Sequence, residues 1–157
     1  MPITDYPFVE FIPQADGSFQ VIPGRGQPML WTRVSNPDHK SKMAILTLAL
    51  IDTGAAECVF PDSAAIQLGH NLKSVTPKTI RGINSSAPAY SHTSRIEILG
   101  ISPDGSPTNN VLCTIPDTPI DFLVGGQNFL LGVRNFLSQF VLTIDYPNKR
   151  FSIRNPN

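Results

Sequence analysis

The sequence predicts an all-β protein built mainly from short strands, with two short helices. Prolines number 15 among the 157 residues, about twice the usual ~5%, and 11 glycines accompany them. Charged residues make up only 15%, against roughly 25% in an average globular protein. Short apolar runs separated by so many turn-forming residues favour strands and turns over long helices. The length corresponds to a single domain, residues 1–157, that is large enough to bury its own core.

Composition also excludes several classes of protein. The formal net charge is zero and no Lys/Arg run occurs, so a nucleic-acid partner is not expected. No apolar stretch approaches the ~20 residues that a membrane helix needs. The first residues show no secretory signal pattern, and two cysteines, Cys58 and Cys113, do not form a disulfide framework. We therefore expect two reduced thiols and a cytoplasmic location.

The first half of the chain is predicted to begin with a hairpin. Residues 8–12 and 18–22 alternate as strands around the Asp16-Gly17-Ser18 turn, and a Gly/Pro-rich loop follows over 23–28. We therefore divide the domain into an N-terminal hairpin extension, 1–28, and a core, 29–157. Residues 29–34 form the next predicted strand.

The strongest apolar run lies at residues 43–51, and its length and Ile/Leu content predict a strand covered on both faces. A short helix is predicted over 62–69, with Asp62 or Ser63 as its N-cap and Gly69 ending it in a left-handed conformation.

The second half is predicted to contain a long hairpin and a closing hairpin. Residues 78–100 form two strands around Gly82 and the segment 85–88, and the second strand alternates as a half-exposed strand should. The remaining predicted elements are strands at 111–115 and 120–124, a helix at 133–140, and a hairpin formed by 140–146 and 150–153 around the turn 147–149.

Asp52-Thr53-Gly54 follows directly after the apolar strand, and this placement suits a catalytic carboxyl group. A buried strand delivers the carboxyl group from the core, where desolvation shifts a pKa. The Thr53 hydroxyl can tie neighbouring backbone in place, and Gly54 permits a sharp turn and close approach of another chain. The same triplet is also compatible with an ordinary exit from a strand into a turn.

A second apolar run ends in glycine at 128–132 and leads into the predicted helix. Together with Asp52-Thr53-Gly54-Ala55, this segment resembles the retroviral-type, or retropepsin-like, aspartic peptidases. In that family a strand carrying Asp-Thr-Gly-Ala is followed by a flap hairpin, and a later apolar-apolar-Gly strand passes beside the catalytic loop. The order and spacing match over roughly 43–153.

The resemblance implies a retropepsin-like half-barrel and a role for individual residues. Asp52 matches the catalytic acid, Thr53 the residue whose hydroxyl bonds across a dimer axis, and Gly54 the glycine whose carbonyl meets the substrate. The implied substrate-binding residues comprise the end of this loop and the flap tip: Ala55, Ala56, Arg81, Gly82, Ile83 and Asn84. Family members often carry an acidic or polar residue where this chain has Ala56, and the neighbouring Glu57 either replaces it or faces solvent.

The number of suitable carboxylates implies a homodimer. The chemistry needs two acids that share one proton, because like charges about 3 Å apart repel by roughly 5 kcal/mol at an effective dielectric of 20. The chain has one Asp-Thr-Gly, and Asp121 and Asp145, which lack the following Gly, are interpreted as structural. The second acid is therefore expected to be Asp52 of another copy.

The sequence thus predicts a homodimeric aspartic endopeptidase that acts on peptide or protein substrates without a cofactor. Ala56 and a flap with few glycines keep open the alternative of a weakly active or inactive dimerisation or peptide-binding module. No metal site is predicted, because His39, His70 and His92 lack ligand spacing with one another or with the cysteines. Cys58 is interpreted as a small buried hydrophobe.

Overall fold

The computed structural model describes residues 3–38 and 43–157 and contains mostly strands. The strands are Ile3–Pro7 (β1), Val9–Pro13 (β2), Phe19–Pro23 (β3), Met29–Ser35 (β4), Ala44–Ile51 (β5), Val59–Pro61 (β6), Lys78–Arg81 (β7), Ser86–Ile101 (β8), Pro107–Leu123 (β9), Leu130–Leu131 (β10), Val141–Asp145 (β11) and Arg150–Arg154 (β12). One α-helix, Asp62–Gln67 (α1), and two 3-10 helices, Leu72–Ser74 and Leu137–Gln139, complete the described elements. The predicted all-β class is confirmed.

The strands form one large sheet and two small ones. The large sheet has the order β4-β5-β10-β6-β9-β8-β7, and a further pairing between β4 and β8 closes most of it into a barrel. A three-stranded sheet has the order β1-β12-β11, and β2 and β3 form a separate hairpin. No helix among the described residues has the length and apolar character to cross a membrane.

Two apolar clusters lie on opposite faces of the β4–β5 pair. The register pairs Leu30 with Ala49, and both belong to the main core inside the barrel. The next pair, Trp31 and Leu48, belongs to a second cluster with Val9 and Leu99, as alternation along a strand requires. The large fully buried rings of the main core are Phe8, Phe60, Phe122, Phe136 and Phe151.

Strand β5 is covered on both faces only in its second half. Leu48, Ala49 and Ile51 are buried, whereas Leu46 is 50% exposed. The prediction of a fully covered strand is therefore wrong for the first half, because the second apolar cluster covers only the end of β5 that leads to Asp52.

The predicted hairpins are confirmed, but two strands in the second half are one. Hairpins β2–β3, β7–β8 and β11–β12 pair in antiparallel register. The strands predicted at 111–115 and 120–124 form the single strand β9. Asp117 adopts a left-handed conformation, with a φ of 50°, at an irregularity opposite Ser94 and Ile96. This bulge absorbs an extra residue, so the prolines of the segment do not end the strand.

The helix predicted over 133–140 is wrong in kind and extent. Only Leu137–Gln139 is helical, as a 3-10 turn. Asn135 has a φ of 65°, a left-handed conformation that no α-helix can incorporate, and this interrupts the expected helical spacing.

The ends of helix α1 agree only in part with the sequence analysis. Gly69 has a φ of 77°, so the left-handed residue after the helix is confirmed. Pro61 occupies the N-cap position, and neither Asp62 nor Ser63 caps the helix with its side chain. The carboxylate of Asp62 instead accepts a hydrogen bond from the Ser63 amide at 3.0 Å.

No strand was predicted at the position of β1, which pairs with β12 at the other end of the chain.

Candidate active site

Asp52 lies at the end of β5, where a second strand holds the backbone on one side. Strand β10 runs parallel to β5 and antiparallel to β6, so it passes between them. The Leu50 amide donates to the Phe129 carbonyl at 2.8 Å, and the Asp52 amide donates to the Leu131 carbonyl at 3.1 Å. The backbone is therefore fixed up to the residue that carries the carboxylate.

The carboxylate of Asp52 is oriented by its own loop. Its Oδ1 atom accepts a hydrogen bond from the Gly54 amide at 2.9 Å, and its carbonyl accepts one from the Ala55 amide at 3.2 Å. The Asp52 side chain is half-buried, whereas Thr53 and Gly54 are exposed. Asx-type turns of this kind fix a carboxyl group relative to the backbone while one oxygen stays available.

The segment after β10 forms the wall of this loop. The Val133 and Arg134 amides donate to the carbonyls of Ala55 and Ala56 at 2.9 and 2.8 Å. Gly132 lies so close to the loop that an added Cβ atom would overlap the Glu57 carbonyl and stand 2.8 Å from the Ala55 oxygen. A glycine is therefore required at this point for steric reasons.

Glu57 contacts the segment behind the loop. It pairs with Arg134 at 2.9 Å and accepts a hydrogen bond from the Asn135 side-chain amide at 3.2 Å. Its side chain thereby joins the loop to the segment behind it. Ala56 is exposed and offers no polar side chain of its own. Arg134 and Asn135 were not predicted as site residues; the available signal was their position two and three residues after Gly132.

Thr53 presents an unused hydroxyl at the surface. No hydrogen bond joins its side chain to any other residue within 3–38 and 43–157. The side chain is exposed beside the half-buried carboxylate of Asp52.

The turn predicted as the flap tip lies at the end of the β7–β8 hairpin. The Gly82 amide donates to the Ser85 carbonyl at 2.8 Å and closes the turn. Arg81, Gly82 and Asn84 are exposed, and Ile83 is 100% exposed. The structure thus gathers Asp52 to Ala56 in one loop and Arg81 to Asn84 in one turn. No hydrogen bond or ion pair among the described residues joins the two groups.

Asp121 and Asp145 each have a local structural partner. Asp121 is buried and pairs with Lys78 at 2.6 Å, which ties the base of β7 to β9. Asp145 accepts hydrogen bonds from the side chain and the backbone amide of Asn148, and these hold its pKa below the usual value. No hydrogen bond joins either carboxylate to Asp52.

The cysteine and histidine side chains are engaged in the fold. Burial raises the pKa of the Cys58 thiol to about 11, although a hydrogen bond from Gly132 acts in the opposite direction. The His70 and His92 rings stack 4.9 Å apart, a proximity that the sequence did not reveal. The part of the chain that is described contains no group of three or more side chains suited to holding a metal ion. His39 lies outside the described residues.

Comparisons with known proteins find similarity to solved structures. No protein-family model matches the sequence, and no curated protein matches it. Among solved structures, the chain is similar to a retropepsin-like aspartic protease from Rickettsia conorii, with 16% sequence identity and a TM-score of 0.49. The similarity covers 96% of this chain and 95% of that chain.

Proposed function

We propose that this chain is an aspartic endopeptidase that acts as a homodimer, with Asp52 of each copy forming the catalytic pair. The observation that carries the proposal is the placement of Asp52. Its carboxylate is half-buried at the end of a strand, is held by the Gly54 amide, and belongs to a loop fixed from behind by 132–134. Such preorganisation is what a reacting carboxyl group requires.

A second copy supplies the missing acid. Two carboxyl groups on a symmetry axis share one proton, so that the ionised group activates water and the protonated group hydrogen-bonds the substrate carbonyl. Repulsion of roughly 5 kcal/mol at ~3 Å corresponds to about four pKa units, so both groups are not ionised together. The pair titrates as a unit. The exposed Thr53 hydroxyl is available to bond across that axis.

The β7–β8 hairpin serves as a cover for the bound peptide. Its base is fixed by the Lys78–Asp121 pair, whereas its tip at Ile83 is fully exposed. Closure of the tip over an extended peptide removes water from the reacting bond, which strengthens the hydrogen bonds made there.

A non-catalytic peptide-binding dimer is the second candidate. Ala56 offers no polar side chain, and Glu57 is occupied by Arg134 and Asn135. If grip on the substrate backbone needs a free carboxylate at this point, binding occurs with little hydrolysis.

The test compares Asp52→Asn with Asp145→Asn, which neutralises a half-buried carboxylate at the end of β11. We expect wild type and Asp145→Asn to cleave an unfolded protein between pH 3.5 and 7.5, and Asp52→Asn to lose activity by at least ~10³-fold. Sedimentation should give the same dimer for all three proteins. Cleavage by Asp52→Asn at the wild-type rate would refute the proposal, and peptide binding without cleavage by wild type would favour the second candidate.

A further inference from the structure

A cavity lies on the outer face of the strand that carries Asp52. Its volume is about 460 Å³, within the ~300–1,000 Å³ range of small-molecule sites. Four separate segments build its apolar wall. The residues are Val9 and Phe11 of β2, Met29 of β4, Leu48 and Leu50 of β5, and Phe129 before β10.

The cavity and Asp52 belong to the same side of β5. Side chains two residues apart on a strand point to the same face, so Leu48, Leu50 and Asp52 share one face. The hydrogen bond from the Asp52 amide to Leu131 continues the parallel ladder, so the alternation extends to Asp52 itself. Leu50 lines the cavity and lies two residues before Asp52, so this part of the cavity is about 7 Å along the strand from the carboxylate. Alternate side chains of an extended peptide have the same spacing.

The residues that line the cavity favour an uncharged, apolar ligand group. Glu10 is the charged residue that lines the cavity, and Arg25 pairs with it. The remaining polar lining is made of Gln27, Thr47, Gln127 and Asn128. A large aliphatic or aromatic side chain buries apolar surface there at roughly 25 cal/mol per Å² without desolvating a free charge.

The N-terminal hairpin is fixed in position as part of this wall. Val9 and Gln27 exchange two backbone hydrogen bonds of 3.0 Å, and Gly26 stands directly against the backbone of Val9 and Glu10. Val9 itself is buried in the second apolar cluster. The base of the hairpin is thus part of the packed protein, and its Phe11 ring is stacked on Phe19 with a centroid distance of 4.8 Å.

We propose that the β2–β3 hairpin is a specificity element: it completes a subsite that takes one large apolar side chain of the peptide, next to the bond that the water activated by Asp52 attacks. This inference rests on the proposed function. The occupant is the substrate side chain, because the cavity shares a face with the proposed catalytic carboxylate and its wall is apolar and without free charge.

Phe11 and Phe19 provide a matched pair of variants. Both rings are about half-exposed, at 45% and 52%, and each loses the same stacking contact when truncated. Phe11 lines the cavity, whereas Phe19 does not. A cleaved peptide library first identifies the peptide position that is selected for a large apolar residue. Two peptides that differ only in Phe or Ala at that position then measure the preference of the subsite. We expect Phe11→Ala to lower the Phe/Ala ratio of kcat/KM about tenfold and Phe19→Ala to leave it unchanged. Thermal unfolding should show equal stability for the two variants.

Binding to Asp52→Asn separates this inference from the proposed function. Calorimetry of the Phe and Ala peptides with Asp52→Asn, alone and combined with each phenylalanine variant, measures the subsite without hydrolysis. Discrimination that depends on Phe11 but not on Phe19 supports the subsite even if wild type cleaves nothing. Equal effects of the two truncations, unchanged discrimination, or failure of both peptides to bind would overturn it.

Discussion

The loop that carries Asp52 and the turn that carries Ile83 are held in opposite ways. The loop is held by backbone hydrogen bonds with Leu131, Val133 and Arg134. The buried thiol of Cys58 follows the loop in the chain. The turn is closed by a hydrogen bond within its own four residues and its tip is fully exposed. The difference indicates that the loop is held more rigidly than the exposed tip of the turn.

Thiol reactivity should separate the two regions most strongly. In a Cys113→Ser background, we expect Cys58 to react with a maleimide at pH 8 at least about a hundredfold more slowly than a cysteine introduced by Ile83→Cys. With a pKa of about 11, only ~0.1% of Cys58 is thiolate at pH 8, against about a quarter of an exposed cysteine. Burial slows Cys58 further. The measurement is the rate of mass increase for each thiol.

The pH dependence has a definite sign. The folded-state pKa of Cys58 lies above the unfolded value, so its contribution to stability is complete below about pH 8.5 and is lost as the pH rises through 11. Native labelling of Cys58 should accelerate over the same range. Equal labelling rates for the two thiols at pH 8 would show that the loop opens as readily as the turn.

A matched pair of glycine substitutions tests the same difference through packing. Gly132→Ala places a methyl group against the backbone of Glu57 and Ala55, and we expect it to lower the free energy of unfolding by about 3 kcal/mol. Gly82→Ala meets only Ser85 atoms at 3.5 Å or more, so we expect a change within about 0.5 kcal/mol. Urea unfolding measures both.

Peptidase activity should follow the same order, with Gly132→Ala much the less active. A Gly132→Ala protein as stable as wild type would mean that the segment behind the loop yields easily, which contradicts the assignment of the loop as the rigid region.

Truncation of the exposed tip should have the smallest effect on stability. Because Ile83 is fully exposed, we expect Ile83→Ser to change the free energy of unfolding by no more than about 0.5 kcal/mol. If the turn closes over a peptide, the same variant should raise KM several-fold. Ile66→Ser, which removes a mostly exposed isoleucine from α1, serves as the control and should leave KM unchanged. An unchanged KM in Ile83→Ser would argue against a covering role.

The sequence predicted those parts of the protein whose determinants are local. An apolar run ending in Asp52-Thr53-Gly54 and three turn-separated hairpins were readable because alternation and turn chemistry act over a few residues. The prediction of a helix at 133–140 was wrong, because Asn135 has a left-handed backbone conformation. Asn135 belongs to a segment whose amides donate hydrogen bonds to the distant Asp52 loop. Strand β1 and the cavity beside Leu50 depend on segments distant in sequence, and local patterns carry no such information.

The distance in sequence between the Asp52 loop and its support has a consequence for synthesis. Arg134 follows Glu57 by 77 residues, and β1 finds its partner, β12, only at the far end of the chain. At about 5–20 residues per second, a ribosome takes roughly 4–15 s to make the segment that supports the loop. During that interval the nascent chain carries its acid in an unsupported loop. Under the proposed function, the chain is therefore inactive until the segment that supports the loop has been made.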